Sequence, residues 1–297
     1  MLPERAHLKE TRIPHPAGEI VLSVDREDYS AVYPGMIRYV LSAGSGAETR
    51  AQISTNTYEY SPGLEMNAKQ VAFEWFEVWK RELTEDPTTF FESRKKHSSR
   101  TAAPKSVDVV LIEGSPRADG NCSILAGWVA DVVHARSKTV EVIYPHDMDI
   151  HPCIGCYQCY NTGTCTFEDD MNAIIDAIRS CSLLVVCSPV YTNTVPGMLK
   201  ILIDRCQAYH AERMLSGGPD TKRGLLFSVA GRKGPENFTC VRNVVNPFMR
   251  NLGITPSGEC LVDGSDTIRD IHSINGLKEN VENIVTTALN RAKADNL

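Results

Sequence analysis

Short apolar runs alternate with longer amphipathic segments through the last two thirds of the chain. The apolar runs are VDVVLIE, TVEVIY, SLLVVCSPV, GLLFSV and GECLVD. Runs of this kind, apolar at nearly every position, are typical of parallel strands that are buried on both faces. Between them apolar residues recur at helical spacing, as in the stripe of Ile124, Leu125, Trp128, Val129, Val132 and Val133. The pattern therefore predicts five strands that alternate with helices.

Five strands joined by helices predict an α/β domain with an open, doubly wound parallel sheet. Connections between parallel strands are right-handed, and a five-stranded sheet of this type has the flavodoxin-like order 2-1-3-4-5. We place this domain at residues 107–297. The predicted helices lie in NCSILAGWVADVVHA, EDDMNAIIDAIRS, PGMLKILIDRCQAYH, FTCVRNVVNPFMRNLG and GLKENVENIVTTALNRA.

The first third of the chain predicts a separate small module. HSSRTAAPKS at residues 97–106 is polar, small and Pro-containing, as a linker is. Before it, EIVLSV and TRAQISTNTY are typical of strands, and one helical face carries Val71, Ala72, Trp75, Phe76 and Trp79. Residues 1–96 are therefore expected to form an α/β or α+β module. No chemical motif in it indicates a role.

Charge and composition narrow the class of partner. The net charge of -6 and the absence of a dense Lys/Arg stripe argue against nucleic acid and anionic membranes. No apolar run approaches the ~20 residues of a membrane span, and MLPERAHLKE lacks the apolar core of a signal peptide. We expect a cytoplasmic protein. Ten cysteines in a long chain with buried strands favour a reducing compartment, where clustered cysteines indicate metal or redox chemistry.

Three strand-to-helix loops carry candidate ligand-binding residues. In sheets of this type ligands bind outside the carboxyl ends of the strands. The first loop, EGSPRADGNCSIL, combines Ser115, Arg117 and Gly120 with the start of a helix, an arrangement that suits a phosphate. It matches neither the dinucleotide fingerprint nor the Walker loop, and an ordinary polar turn is the alternative.

The second and third loops are weaker evidence for a ligand site when each is taken alone. Their position at the same edge of the sheet as the first loop strengthens that evidence. SPVYTNTVPGMLK offers Tyr191 as a stacking face and neighbouring polar groups for a flat heterocycle, although a connector with a packed tyrosine fits it too. VAGRKGPENF has Gly231 for close backbone approach, with Arg232 and Lys233 for an anion. Because all three loops belong to one rim of the predicted sheet, we expect one ligand site there.

The segment CIGCYQCYNTGTC carries four cysteines with two, two and five residues between them: Cys153, Cys156, Cys159 and Cys165. Thiolates at this spacing favour an iron–sulfur cluster. Four-cysteine zinc sites usually use two separated C-x-x-C pairs, and a disulfide or thiol switch needs no fourth cysteine. The segment follows the second strand, so it is expected at the same edge. Asp169 and Asp170, just beyond it, are predicted to interact with the dipole of the next helix.

Residues 107–262 resemble the NADPH-dependent FMN reductase family of flavodoxin-like proteins and, within it, the iron–sulfur flavoproteins. The resemblance rests on GSPRADGN, HPCIGCYQCYNTGTCTFEDDM and SPVYTNTVPGMLKILIDR. It implies FMN, with the phosphate in the first loop and the isoalloxazine ring along the second and third. The implied cofactor residues are Ser115, Arg117, Gly120, Asn121, Cys122, Ser123, Pro189, Val190, Tyr191, Thr192, Asn193, Gly231 and Arg232. Cys122 departs from the family, which usually has Thr or Ser there, and Ser123 is expected to supply the hydroxyl.

The resemblance implies an FMN-dependent oxidoreductase that passes electrons from a reduced donor, such as NAD(P)H, to an acceptor through FMN and a 4Fe–4S cluster on the four cysteines. The flavin carries the chemistry, and no catalytic side chains are predicted. Two alternatives remain: a cluster-free NAD(P)H-dependent FMN or quinone reductase, and a non-catalytic electron carrier or redox sensor. A small-molecule or protein redox partner and a homo-oligomer are expected.

Overall fold

The computed structural model describes residues 3–16, 18–45, 48–61, 67–94, 107–218 and 222–294. The predicted linker at residues 97–106 lies outside them. The chain divides into two compact units. The first unit comprises Met1–Ala102, Gly155–Thr166 and Met214–Gly217, and the second comprises Ala103–Ile154, Phe167–Arg213 and Gly218–Leu297. In the ranges described, no helix is long and apolar enough to cross a bilayer.

The first unit is an antiparallel sheet with helices on one face. Its strands pair in the order β1 (Glu4–Ile13), β2 (Ile20–Asp28), β3 (Ile37–Ser45) and β4 (Glu48–Asn56). Alternate residues of β2, including Leu22 and Val24, are buried against the helix α1 (Ala68–Glu85), which is followed by α2 (Pro87–Ser93). The sequence predicted β2, β4 and α1. It missed β1 and β3.

The second unit contains the five-stranded parallel sheet. Its strands are β5 (Val109–Glu113), β6 (Val140–Ile143), β7 (Leu183–Pro189), β8 (Lys222–Val229) and β9 (Ile254–Val262). They lie in the order β6-β5-β7-β8-β9, which confirms the predicted flavodoxin-like order. Both β5 and β7 are buried at every position, as their continuous apolar runs predicted.

Helices cover the sheet of the second unit. They are α3 (Asn121–His134), α5 (Met171–Ser180), α6 (Gly197–Arg205), α7 (Gln207–Ser216), α8 (Thr239–Asn251), α9 (Ser265–Ile268) and α10 (Leu277–Ala294). Trp128 lies in the core between the sheet, α3 and α10, as predicted. PGMLKILIDRCQAYH was predicted as one helix. The structure has two, α6 and α7, with the break at Cys206.

The cysteine segment differs from its predicted placement. It was expected as a loop of the flavodoxin-like domain, but Gly155–Thr166 groups with the first unit. This stretch contains the short helix α4 (Cys159–Thr162), which packs against β4. The physical reason is a set of buried hydrogen bonds from the first unit to Asn161, which the sequence pattern does not reveal.

Candidate functional site

A cavity of about 570 Å³ opens at the carboxyl edge of the parallel sheet. It lies wholly in the second unit and is lined by the three loops that the sequence singled out. The implied cofactor residues that line it are Ser115, Arg117, Gly120, Asn121, Cys122, Pro189, Val190, Tyr191, Thr192, Asn193, Gly231 and Arg232. The structure thus brings together every one of these residues except Ser123.

The first loop presents the start of α3 to the cavity. The N-cap residue Gly120 supplies no side-chain hydrogen bond, so no cap covers the first-turn amides. The loop closes on itself, since the Gly120 amide donates to the Arg117 carbonyl at 3.1 Å and the Arg117 amide donates to Ser115 Oγ at 3.2 Å. Uncapped amides, the helix dipole and the Arg117 guanidinium make this end of the cavity suited to an anion.

Two residues expected in the phosphate site have other partners. The Asn121 side chain donates to the Arg269 carbonyl at 2.9 Å and accepts from the Ile271 amide at 3.3 Å, so it fastens the loop beyond β9. The Ser123 hydroxyl donates to the Glu113 carboxylate and to the Arg117 carbonyl. Ser123 therefore stabilises the loop through Glu113 and the Arg117 carbonyl, and it does not line the cavity.

Glu113 is a buried acid that sequence reasoning passed over. It is the last residue of β5 and is 1% exposed. Burial raises the pKa of Glu113 above its ordinary value, although the hydrogen bond from Ser123 and the nearby His146 lower it. The available signal was an acidic residue that ends an otherwise apolar strand.

The second loop makes a tight two-residue turn at the rim. The Tyr191 amide donates to the Thr194 carbonyl at 2.9 Å, and the Thr194 amide returns a bond of 3.0 Å. Between them Thr192 and Asn193 have φ angles of 46° and 66°, which non-glycine residues rarely adopt. Such strained backbone is typical of ligand-binding loops. The turn leaves the Tyr191 side chain partly exposed at the rim.

The third loop packs against the segment that follows β9. The Asp266 amide donates to the Gly231 carbonyl at 3.2 Å, and a Cβ atom on Gly231 would lie 2.5 Å from Asp266 Oδ2. Only glycine admits the carboxylate there without a shift. Asp266 and Ser265 also line the cavity, and the sequence analysis missed both. Their signal was available, because they follow the fifth strand at the same edge of the sheet.

The residues around the cavity fit FMN in chemistry and form. One end of the cavity has the uncapped amides of α3 and Arg117, which suit a phosphate. The other end has the turn at Tyr191–Thr194, here called the Tyr191 turn, and the close approach of Gly231 to Asp266, which suit a flat ring. The guanidinium of Arg232 and the carboxylate of Asp266 add charges of opposite sign to the lining. The strand order and the position of this cavity together define a flavodoxin-like α/β protein.

Comparison with known proteins gives the family. The NADPH-dependent FMN reductase family matches residues 107–258, which is half of the chain. The chain therefore belongs to this family, and with it to the flavin-dependent oxidoreductases.

Relatives in the family include two archaeal iron–sulfur flavoproteins. The protein of Methanocaldococcus jannaschii is 34% identical over 48% of this chain and 71% of its own length. That of Methanosarcina thermophila is 32% identical over 43% of this chain and 66% of its own length. Among solved structures, an archaeal flavodoxin aligns with 63% of this chain over 99% of the flavodoxin chain. The sequence identity is 13% and the TM-score is 0.40.

The four cysteines offer suitable donors in an unsuitable arrangement. All ten cysteines fall in the described ranges, and none is in a disulfide. Cys153 is exposed and belongs to the second unit, whereas Cys156, Cys159 and Cys165 are half-buried in the first. Among the described residues, no three His, Cys, Asp or Glu side chains are placed to hold a metal ion. The thiols are ligands of the kind that an iron–sulfur cluster takes.

Two acidic residues that follow the cysteine segment, Asp169 and Asp170, form hydrogen bonds to the backbone that precedes it. They were predicted to interact with the dipole of α5. Asp169 does accept from the Met171 amide at the start of α5, at 3.2 Å. It also pairs with Arg205 and accepts from the His151 amide at 3.0 Å, while Asp170 accepts from the Asp149 amide at 2.9 Å. Burial raises the pKa of Asp169, but the bonds from Arg205 and His151 outweigh it and leave the pKa below its ordinary value.

Proposed function

We propose that this chain binds FMN in the cavity of the second unit and transfers electrons from a reduced donor, NAD(P)H, to an acceptor. The single observation that supports this most is the cavity itself. Three loops far apart in sequence line it, and each carries residues that the family resemblance assigns to the flavin. The proposal includes a second redox centre, a 4Fe–4S cluster of the iron–sulfur flavoprotein type. Its ligands would be Cys153, Cys156, Cys159 and Cys165.

The first loop takes the phosphate in this proposal. Arg117 contributes a permanent positive charge, and the first-turn amides of α3 contribute donors backed by the helix dipole. Ser115 is 4% exposed and shapes the loop by accepting the Arg117 amide. Because the backbone of this loop and the Ser115 hydroxyl are held before the ligand arrives, little of their ordering entropy is lost when the phosphate binds.

The Tyr191 turn and the Gly231 loop hold the ring in this proposal. Bound FMN supplies the redox chemistry, which no side chain of this chain provides. The strained turn at Thr192 and Asn193 fixes the backbone beside the ring, and the contact between Gly231 and Asp266 sets the opposite side. These residues orient the flavin and exclude water from it.

The cluster is supported by the cysteine spacing and by the name iron–sulfur flavoprotein that several relatives carry. One observation favours a second candidate, a cluster-free NAD(P)H-dependent FMN or quinone reductase. In the part of the chain that the structure describes, no three candidate ligands are placed to hold a metal. No step of the reaction is therefore routed through the cysteines.

Anaerobic purification and analysis separate the two candidates. We would measure flavin, iron and acid-labile sulfide per chain before and after reconstitution, together with NADH- and NADPH-dependent reduction of a quinone. The cluster proposal expects about four irons per chain, as a four-cysteine cubane site holds. It also expects their loss in Cys156→Ser and their retention in Cys181→Ala, a control at a buried core thiol. Flavin and turnover without iron would establish the cluster-free reductase.

We also propose a small-molecule or protein redox partner, a homo-oligomeric state and a cytoplasmic location. The redox partner and the oligomer follow from the family resemblance, and the location follows from the ten cysteines in a long chain with buried strands. Light scattering of the FMN-bound protein measures the oligomeric state directly, and a single mass of 32.8 kDa would contradict the oligomer.

A further inference from the structure

Asn161 is a buried amide in the middle of the cysteine segment. It is 5% exposed and lies two residues after Cys159, within α4. Its side-chain oxygen accepts from Asn56 Nδ2 at 2.9 Å, and its Nδ2 donates to a carboxylate oxygen of Glu59. Its carbonyl accepts from the Arg38 guanidinium at 2.8 Å. Several groups of the first unit thus converge on one residue between Cys159 and Cys165.

The groups that bind Asn161 lie on the second face of the antiparallel sheet. Side chains alternate between faces along a strand, and the face that packs on α1 carries residues such as Leu41 of β3 and Ala51 of β4. Arg38 and Asn56 pair across β3 and β4 on the opposite face. They are 7% and 0% exposed, although neither belongs to the apolar core.

This second face carries buried polar side chains that are held in place by ion pairs and hydrogen bonds. Arg38 is fixed by an ion pair of 2.6 Å with Glu27, which is 4% exposed on β2. Ser54 adds a bond of 3.1 Å to the Asn161 carbonyl. Burying charged and amide groups is costly unless they find partners. On this face the partners are Glu27 and Ser54 of the sheet and the backbone and side chain of Asn161 in the cysteine segment. The arrangement is explained if the sheet receives that segment.

The backbone around Cys156 is constrained by the same unit. Gly155 and Tyr157, on either side of it, have φ angles of 65° and 57°. The Tyr157 carbonyl accepts from Asn56 Nδ2 at 3.3 Å, and its ring meets Tyr58 edge-on at 5.1 Å. A non-glycine residue in this conformation persists where neighbouring contacts hold it. Here the contacts come from the residues that end β4 and follow it.

We propose that the first unit is a holder for the cysteine segment, in which Arg38, Asn56 and Glu59 are positioning residues that fix the backbone on both sides of Cys159, at Tyr157 and at Asn161. They would set the reactivity of the Cys156 and Cys159 thiols and their affinity for iron. The holder itself is inferred from the contacts described above. Only the role of the thiols as iron ligands rests on the proposed function. It gives residues 1–96 a role that their own sequence does not suggest.

The test uses the full-length protein and two substitutions at one position. Glu59→Ala removes the acceptor of the Asn161 amide, whereas Glu59→Gln keeps an oxygen there. Asn67→Ala is the matched control, because Asn67 forms the capping box of α1 in the same unit. The readout is the rate at which a maleimide alkylates each cysteine of the metal-free protein, resolved by peptide mass spectrometry. Cys153, in the second unit, is the internal reference.

We expect Glu59→Ala to accelerate alkylation of Cys156 and Cys159 relative to Cys153 by about tenfold, the factor for one lost buried hydrogen bond. In Glu59→Gln and Asn67→Ala the alkylation rates should stay within about twofold of the wild type. The expected tenfold change in Glu59→Ala corresponds to ~1.4 kcal/mol. Equal acceleration at all three cysteines, equal effects of Glu59→Ala and Asn67→Ala, or no effect of Glu59→Ala would each overturn the proposal.

Iron and flavin content separate this inference from the proposed function. If the wild type holds iron after reconstitution, Glu59→Ala should hold less of it with unchanged FMN per chain, and Glu59→Gln should restore it. If the wild type holds no iron, the cluster fails while the alkylation pattern still decides whether the holder exists. Loss of FMN together with faster alkylation throughout would mean general unfolding and would contradict the inference.

Discussion

Arg205 and Asp169 form a buried, two-point ion pair at the base of the cysteine segment. Nη1 of Arg205 lies 2.6 Å from Oδ2 of Asp169, Nη2 lies 2.9 Å from Oδ1, and both side chains are 1% exposed. The same guanidinium donates to the His151 carbonyl at 2.6 Å. The pair therefore joins chain that precedes the segment, at His151, to chain that follows it, at Asp169.

Breaking this pair should destabilise the second unit strongly. Asp169→Asn leaves the buried Arg205 charge without its counterion, which costs about 3–5 kcal/mol. Urea unfolding of both variants measures this, with Asp204→Asn as the control. Asp204 pairs with Lys200 on an exposed helical surface, where a loss of about 0.5 kcal/mol or less is expected. Similar losses in the two variants would contradict the burial argument.

The same pair predicts how stability depends on acid. Asp169 has a depressed pKa in the folded protein, so its contribution is complete above the ordinary value of 3.8 and disappears as pH falls through the folded pKa. Unfolding free energies of wild type and Asp169→Asn should therefore converge below pH 3.8. A constant difference down to the lowest accessible pH would show that the carboxylate charge is not responsible.

Arg117 should dominate the affinity for FMN. A charge-assisted hydrogen bond contributes about 1.5–3 kcal/mol, so Arg117→Ala should weaken FMN binding by roughly tenfold to a hundredfold. Riboflavin, which lacks the phosphate, should bind the wild type and the variant equally. Fluorescence titration measures both ligands. Arg242→Ala is the control, because Arg242 pairs with Glu259 outside the cavity. Equal losses for FMN and riboflavin would remove Arg117 from the phosphate site.

A side chain at Gly231 should displace the Asp266 carboxylate and weaken FMN binding. In Gly231→Ala the new Cβ would lie 2.5 Å from the Asp266 carboxylate, so the carboxylate must shift within the cavity lining and FMN affinity should fall. Gly127→Ala is the counterpart, because a Cβ there meets nothing within 4 Å on α3. It should leave FMN binding unchanged and stabilise the helix by up to about 1 kcal/mol. Unaltered FMN affinity in Gly231→Ala would remove this contact from the site.

Glu113 should give the protein a stability that declines as pH rises. Its pKa is raised by burial, so the folded state holds its proton at a pH where the unfolded chain has released it. Stability should therefore fall as pH increases from the ordinary 4.5 through the raised folded value. Glu113→Gln keeps an acceptor for Ser123 and should abolish this component. Parallel pH profiles of the two proteins, from urea unfolding, would refute the assignment.

The parallel sheet was predictable because its strands are buried on both faces. Continuous apolar runs at β5 and β7 have few alternative explanations, and the strand order follows from handedness once the strands are known. The antiparallel sheet was only half predictable. β1, with the sequence ERAHLKETRI, is mostly exposed and carries charges that hide its alternation.

The site was predictable where it is local in sequence. Each cavity loop could be identified because it follows a recognisable strand. The placement of the cysteine segment was not predictable, because it depends on contacts such as Asn56 with Asn161 between residues that are 105 positions apart. Asp266 could have been predicted as a lining residue from its place after the fifth strand, but its contact with the distant Gly231 could not.

The most direct test of the account is the flavin content and spectrum of the full-length protein after incubation with FMN and removal of excess ligand. We predict one FMN per chain, flavin absorption bands that bleach when NADH or NADPH is added without oxygen, and loss of bound FMN in Arg117→Ala. Protein that is folded but retains no FMN, or retains it equally well in the variant, would contradict the assignment of the cavity.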